Sequence, residues 1–416
     1  IRKRGLFVYD VKQKMNPGFR CLQGGLFSAV SKADVGNVAD EMQKRGVDML
    51  SWADPFMPDA VMPEHVRQKA LEQIQEGKAV HYTTPIGSSE LKAAIAEKLR
   101  RFNGFQVDPE RNILITPGSD SGLLFAMMPF LCPGDEVLVP DPSYPSNFLN
   151  PQLLGARAVS VPLLESENFA LDLEAFREKA TPRTKMVLLT NPNNPTGTVF
   201  TRSQLTALAE FIVERDLILV VDQAFEDSVF DGREMVSMAS LPGMWERTVS
   251  VFSVSKGMGL SGLRVGYLVA DDRIMDVLFG CAVNVIGATN TAFQAAAVEA
   301  FRNPDFIQEY NEIFDRRRKR VFELLSGIPG VRLSLPESAF LTWIDVSALG
   351  TAPEVAAYLL EHAKVFVNDG TPYGTLGAGH LRIVHGCFRD DQRVYAAVER
   401  IRHALLELGR KKGISH

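Results

Sequence analysis

The sequence predicts an α/β protein: a large, doubly wound, mostly parallel sheet domain followed by a smaller α+β domain. Three observations carry this. Short β-rich runs, NILIT (112–116), EVLV (136–139), KMVLL (185–189), LILVV (217–221) and TVSVF (248–252), are separated by helix-length segments, the rhythm of parallel strands joined by helical crossovers. Those runs are continuously apolar rather than alternating, as strands covered on both faces are. After residue 326 the rhythm changes to shorter, mixed elements.

Taken in order, residues 55–300 are expected to form the large domain. The ten-residue apolar run 123–132 reads within it as a buried helix. Residues 305–326 (DFIQEYNEIFDRRRKRVFELLS) have helical apolar spacing and lead out of the large domain. Segments 331–335 and 340–346, a helix over 354–362, a strand over 380–384 and a helix over 391–408 then make a small C-terminal domain within 301–416. Residues 1–54 are expected either to join that small domain or to contact a partner subunit.

Composition narrows the function classes. The chain has 416 residues, 46% apolar and 23% charged, with 45 Lys and Arg against 50 Asp and Glu, a formal net charge of −5. The length suits two or three domains or one large domain with an appendage. The acidic balance lacks the broad positive field that nucleic acid or an anionic membrane requires. Cys21, Cys132, Cys281 and Cys387 show no CxxC spacing, which argues against a disulfide framework or a zinc site and for a reducing, cytoplasmic setting. The longest apolar run is far shorter than the roughly 20 residues a membrane helix needs. Residues 1–10 are basic but lead into no long apolar stretch, so they do not read as a signal peptide.

The sharpest chemical feature is Lys256, in SVSKGMGLSGLRVG (253–266), just after an apolar strand and among serines and glycines. Taken alone it is a surface lysine. Near other cations and shielded from water, it would lose proton affinity and become a nucleophile able to form a Schiff base with an aldehyde. Asp222 ends the strand before it, at the carboxyl edge where α/β proteins bind ligands, and could keep a heterocyclic nitrogen protonated. NPNNPTG (191–197) is ordinary turn chemistry, yet its prolines restrict the backbone around Asn194. TPGSDSG (116–122) joins a strand to an apolar helix and reads either as an anion site at a helix N-terminus or as a simple cap by Ser119 or Asp120.

The order and spacing of Gly118-Ser119-Asp120, Tyr144 in DPSYPS (141–146), NPNNPTG, Asp222, SVSKGMGLSGLRVG and Arg382 in LRIV (381–384) resemble the fold type I pyridoxal 5'-phosphate enzymes, specifically the class I/II, aspartate aminotransferase-like family. The resemblance covers about residues 51–408. It implies transfer of an amino group between an L-amino acid and a 2-keto acid. Lys256 would hold the cofactor and shuttle a proton, Asp222 would pair with the pyridine nitrogen, Asn194 would bond the phenolic oxygen and Tyr144 would stack on the ring. Ser119, Asp120, Ser253 and Arg264 would hold the phosphate. Tyr82, in YTTPIGSSEL (82–91), would reach the phosphate of a neighbouring subunit, which implies a homodimer with shared sites. Arg382 would clamp the substrate α-carboxylate, with Ala53 and Asn194 beside it.

Three positions depart from the family pattern. Phe225 stands where the family has a tyrosine that bonds the phenolic oxygen, so the cofactor–lysine linkage should be more basic. Ala53 replaces a glycine whose backbone approaches the substrate carboxylate, narrowing the pocket. Asp120 puts a carboxylate beside a phosphate site, so its side chain is expected to point away toward another donor. Phe225 and Ala53 keep a β-lyase, a decarboxylase or an amino-acid oxidase or hydroxylase on the same fold as rival reactions. A non-catalytic ligand-sensing module is a remoter rival. RRRKR (316–320) reads as a solvated helix face with i, i+4 pairs, and the scattered histidines give a metal site little support. Trp52 and Trp343 are read either as lining the substrate entrance or as core. No arginine lies in 282–294, where dicarboxylate-specific members carry one, while Lys12, Lys14 and Arg20 are cations that a folded-over N-terminal segment would bring to the site.

Overall fold

The structure, a computed structural model, describes Lys14, Met42 and residues 44–414. Lys12, Arg20, Cys21 and residues 1–10 lie outside the described residues, and Lys14 is exposed.

A short strand, β1 (Asp48–Met49), precedes helices α1 (Glu64–Gln75) and α2 (Ser89–Lys98). The main sheet follows with β2 (Ile113–Thr116), α3 (Ser119–Met127), β3 (Glu136–Asp141), α4 (Pro145–Leu153), β4 (Arg157–Pro162), α5 (Leu173–Lys179), β5 (Thr184–Thr190), α6 (Arg202–Glu214), β6 (Ile218–Asp222), β7 (Thr248–Ser253) and β8 (Gly266–Val269). Its seven strands run in the order β2-β8-β7-β6-β5-β3-β4, parallel throughout except β8, which is antiparallel to both neighbours.

Alternate residues of each central strand serve opposite faces. Leu138, Val187, Leu189, Leu219 and Val221 pack with Phe176, Leu205, Leu208 and Phe211 of α5 and α6. Val137, Val139, Met186, Leu188 and Val220 pack with Leu123 and Phe125 of α3 and with Met275 and Leu278 of α7 (Asp272–Val285) on the other. Both faces are therefore covered, which is why these strands carry no polar alternation. Strands β4 and β8 gave no comparable run: β4 lies at the sheet edge with alternating exposure, and β8 is four residues long.

After α8 (Thr291–Arg302), α9 (Phe306–Leu325) leads to β9 (Arg332–Leu333), β10 (Leu341–Asp345), α10 (Ala352–His362), β11 (Val365–Phe366), β12 (Asn368–Asp369), β13 (His380–Val384) and α11 (Asp391–Lys411). A four-stranded sheet, β12-β13-β10-β9, is antiparallel, and β1 pairs in parallel with β11. Its core joins Ile344, Leu381 and Ile383 to Leu359, Val394, Ile401 and Leu405. No described helix is long and apolar enough to cross a membrane.

Two expectations need correction. The helix expected over 123–132 ends at Met127, because Pro129 supplies no N–H to continue the helical hydrogen-bond ladder. The basic run on α9 is a solvated face only in part: Arg316, Lys319 and Arg320 are exposed and Lys319 pairs with Asp315 four residues before it, but the side chains of Arg317 and Arg318 are both 0% exposed. Arg317 donates to the carbonyls of His385, Cys387, Phe388 and Arg389 and to Asp391. Arg318 reaches Pro336 O, Asp231 and Asp315. These guanidiniums tie α9 to the loops on either side of the second sheet.

Candidate active site

Five parallel strands, β2, β3, β5, β6 and β7, end on the same side of the main sheet, and the segments after them supply the site. Ser119 and Asp120 follow β2, Tyr144 follows β3, Asn194 follows β5, Asp222 closes β6, and Ser255 and Lys256 follow β7. From the other sheet comes Arg382 on β13, and from the segment after β1 come Ser51, Trp52 and Ala53. These residues, with Asp54, Phe225, Arg264 and Asn368, line one cavity of about 420 Å³. Placement at the carboxyl ends of parallel strands is where open α/β sheets take their ligands.

The Lys256 amine donates to the carbonyl of Ala53 at 2.5 Å. Burial holds it below the usual lysine range, although the carboxylates of Asp120, Asp54 and Asp222 pull the other way. Asp222 is 6% exposed, and its Oδ1 accepts from the amide of Ala224 at 3.0 Å. Burial raises this carboxyl to about 7, against the Ala224 amide and Lys256. The Tyr144 hydroxyl is pushed well up by burial and then by Asp120. Arg382, 2% exposed, donates to Asn194 Oδ1 (3.0 Å), to Ser51 O (2.9 Å) and twice to Asn368 Oδ1 (3.1 and 2.7 Å), and lies over the Tyr373 ring at 5.0 Å.

The start of α3 is shaped by two glycines. A Cβ on Gly118, at φ +87°, would stand 2.2 Å from the Arg264 guanidinium, so only glycine lets that arginine lie across the helix start. A Cβ on Gly266 would collide with Gly118 C and Ser119 N at 2.6 and 2.7 Å. Arg264 itself sits at φ +52°, an unusual conformation for a side-chain-bearing residue.

The structure brings together Ala53, Ser119, Asp120, Tyr144, Asn194, Asp222, Lys256, Arg264 and Arg382. Ser253 is set back from the cavity: its Oγ accepts from the Ser255 amide at 3.0 Å, and Ser255 is the serine that lines the wall. Tyr82 lies outside this cavity and is 95% exposed. Asp120 does not turn away to another donor; it lines the cavity and, among the described residues, has no hydrogen-bond or ion-pair partner. Trp52 lines the cavity, whereas Trp343 is buried against Tyr373 and His380.

Two contributions went unread in the sequence. One is the Ala53 carbonyl, whose role needs no particular side chain. The other is Asp141, which accepts from the amides of Thr375 and Leu376 and the Thr375 hydroxyl and so ties the loop before β13 to the main sheet. A carboxylate beginning DPSYPS, before a glycine-rich loop whose Thr375 is 234 residues away, was its only signal. Away from the cavity, His380 stands 3.6 Å from Glu165 and near Asp345, but Arg332 pairs with both carboxylates and already supplies a cation there.

The sequence signature of the family described as "Aminotransferase class I and II" matches residues 50–401. The chain belongs to this family. It is 33% identical to the aromatic-amino-acid aminotransferase 2 of Thermococcus litoralis over 356 residues, 84% of this chain and 90% of the relative. It is 34% identical to the probable aspartate/prephenate aminotransferase of Aquifex aeolicus, over 89% of this chain and 94% of the relative. The solved structure of Thermus thermophilus aspartate aminotransferase with maleate superposes with a TM-score of 0.84 at 30% identity, covering 94% of this chain and 99% of that one. The chain is thus a fold type I, pyridoxal 5'-phosphate-dependent aminotransferase. Its cavity fits that cofactor: the buried Asp222 carboxyl has one backbone donor and is raised to about 7, as an acceptor awaiting a cationic partner would be.

Proposed function

We propose that this aminotransferase works through the cavity lined by Lys256, Asp222 and Arg382, as a cytoplasmic homodimer. The observation that carries the reading is the convergence of those three groups, from β7, β6 and β13, on one cavity. Pyridoxal phosphate supplies the electron sink for the carbanion left when the substrate's α-C–H bond breaks. Lys256, an amine held below its ordinary proton affinity, is suited both to hold the cofactor's aldehyde carbon and to take the proton from the substrate α-carbon. Asp222 is suited to pair with a ring N–H⁺, an interaction that would return its carboxyl toward the ionised form.

Arg382 is the α-carboxylate clamp in this reading, because a planar guanidinium makes two parallel bonds that an ammonium cannot. Its present acceptors, Asn194, Asn368 and Ser51 O, fix its plane. Asn194 and Ala53 would complete the substrate side, with Tyr144 against the ring. The backbone amides of Ser119 and Asp120 and the Arg264 guanidinium would take the phosphate, since helix N-termini favour anions, with Ser255 the serine on that wall in place of Ser253.

Tyr82, 95% exposed, is available to a second copy, and Val80 at 74% lies beside it; both support the dimer. The three described cysteines, Cys132, Cys281 and Cys387, are unpaired, which supports a reducing compartment. Residues 55–300 and 301–416 would be the large and small domains, with the β1–β11 pairing drawing the segment before residue 55 to the latter.

Borohydride reduction of the purified protein followed by peptide mapping tests the assignment. The cofactor should be fixed to Lys256. Label on any other lysine would overturn it.

A further inference from the structure

We propose that Asp54 is a positioning residue of the transamination site: by holding the Ser261 hydroxyl, it keeps the half of the cavity that clamps the substrate in register with the half that holds the cofactor. The inference rests on this cavity being the transaminase site.

The two halves come from different sheets. Arg382 stands on β13 of the four-stranded sheet, whereas Lys256 and Arg264 belong to the segment between β7 and β8 of the main sheet. Residues 50–56 run between them and are pinned to the substrate side at both ends. The Leu50 amide donates to Phe366 O and its carbonyl accepts from Val384 N, each at 2.8 Å, while the Phe56 amide donates to Gly386 O at 2.7 Å. Ser51 O accepts from Arg382. A shift of this segment is therefore a shift of the clamp.

Among the described residues, two hydrogen bonds cross from this segment to the cofactor side: Lys256 donates to Ala53 O, and the Ser261 hydroxyl donates to Asp54 Oδ1. The chemistry treats them differently. Once Lys256 is joined to the cofactor's aldehyde carbon its nitrogen keeps at most one hydrogen, and the cofactor competes with Ala53 O for it. The Asp54–Ser261 bond contains no reacting atom and is charge-assisted. Ser261 passes the constraint on, because its carbonyl accepts from the Arg264 guanidinium at 2.8 Å. That guanidinium lies across the start of α3, the proposed phosphate site. Asp54 is half-buried on the cavity wall, so its bond is partly shielded from water.

Four variants separate the bond from the charge. Ser261→Ala removes the bond and keeps the carboxylate, Asp54→Asn keeps an acceptor and removes the charge, Asp54→Ala removes both, and Ser261→Thr keeps the hydroxyl. In holoenzyme, Ser261→Ala and Asp54→Ala should each raise the KM for the amino acid by about 10-fold, the scale of one hydrogen bond to a charged group. With kcat little changed, that is the pattern of lost binding rather than lost chemistry. The dissociation constant of pyridoxal phosphate, measured on the apoenzyme without substrate, should rise in the same two variants, and neither constant depends on how much of the protein is folded. Ser261→Thr should recover most of both losses. Asp54→Ala combined with Ser261→Ala should be no worse than Asp54→Ala alone, because the same bond is lost only once. Asp54→Asn should lose less in both constants than Asp54→Ala, yet lower the absorbance midpoint of the bound cofactor. It removes one of the charges acting on Lys256, which are Asp54, Asp120, Asp222 and Arg382; Ser261→Ala should leave that midpoint in place. Both constants unchanged in Ser261→Ala and Asp54→Ala, or losses that add in the combined variant, overturn the inference and leave the transaminase standing. Cofactor fixed by borohydride to a lysine other than Lys256 overturns both readings.

Discussion

Two charge clusters in this molecule are built on opposite plans. On α9, Arg317 and Arg318 are fully enclosed, and carbonyls and carboxylates of the protein itself take up their donors. In the cavity, the half-buried Lys256 has one carbonyl and the buried Asp222 one amide, while Asp120 is exposed. A buried charge costs several kcal/mol unless it is paired and hydrogen-bonded. The α9 cluster meets that cost internally, which makes it structure. The cavity leaves it partly unmet, so its groups have shifted proton affinities and remain available to ligands.

Breaking each side separates the two plans. Lys256→Ala should lower turnover by at least about 10³-fold, the scale of a lost proton-transfer group. Chemical denaturation should show no loss of stability. Arg317→Met should do the reverse. It should lose about 3–5 kcal/mol in the same denaturation experiment, because the carbonyls of residues 385–389 and Asp391 lose their donor, while kcat per folded enzyme stays within about twofold of wild type. A comparable stability loss in both variants would erase the distinction.

Asp222 sharpens the comparison through pH. Its carboxyl is raised in the folded protein to about 7 from 3.8. The folded state therefore holds this proton more tightly than the unfolded one. That contribution to stability is full below about pH 4 and is lost as pH rises through about 7. Cofactor-free Asp222→Asn should accordingly be more stable than wild type at pH 8, by up to about 4 kcal/mol at 1.36 kcal/mol per pH unit. The difference should shrink at pH 5, and unfolding midpoints at the two pH values measure it. A smaller effect is expected for Arg382→Lys, about 2–3 kcal/mol in kcat/KM, since a lysine keeps the charge but not the fork. Phe225→Tyr should be smallest. Its hydroxyl would lower the absorbance midpoint of the bound cofactor by about one pH unit, and identical midpoints would remove Phe225 from the account.

What was legible in the sequence follows the same division. Central strands were readable because burial on both faces leaves a local signature, as in residues 185–189 and 217–221. Lys256, Asp222 and Asn194 were readable because each follows or ends such a strand in a motif of fixed order, and Arg382 because it lies within the strand LRIV that closes that order. Arg317 was not: its acceptors lie 68 to 74 residues away, and a run of five basic residues looks the same whether solvated or enclosed. The engagement of Asp141 with residues 375 and 376 and the Ala53 carbonyl against Lys256 are equally non-local.

The central claim is that the cavity with unmet charge is where the amino group moves, and a single-turnover assay tests it most directly. Holoenzyme mixed with an amino acid and no acceptor should release one equivalent of keto acid per protomer, then stop until a keto acid is added, and Lys256→Ala should release none. Ammonia or carbon dioxide release, or oxygen consumption, continuing without an acceptor would contradict the account, as would undiminished keto-acid release by Lys256→Ala.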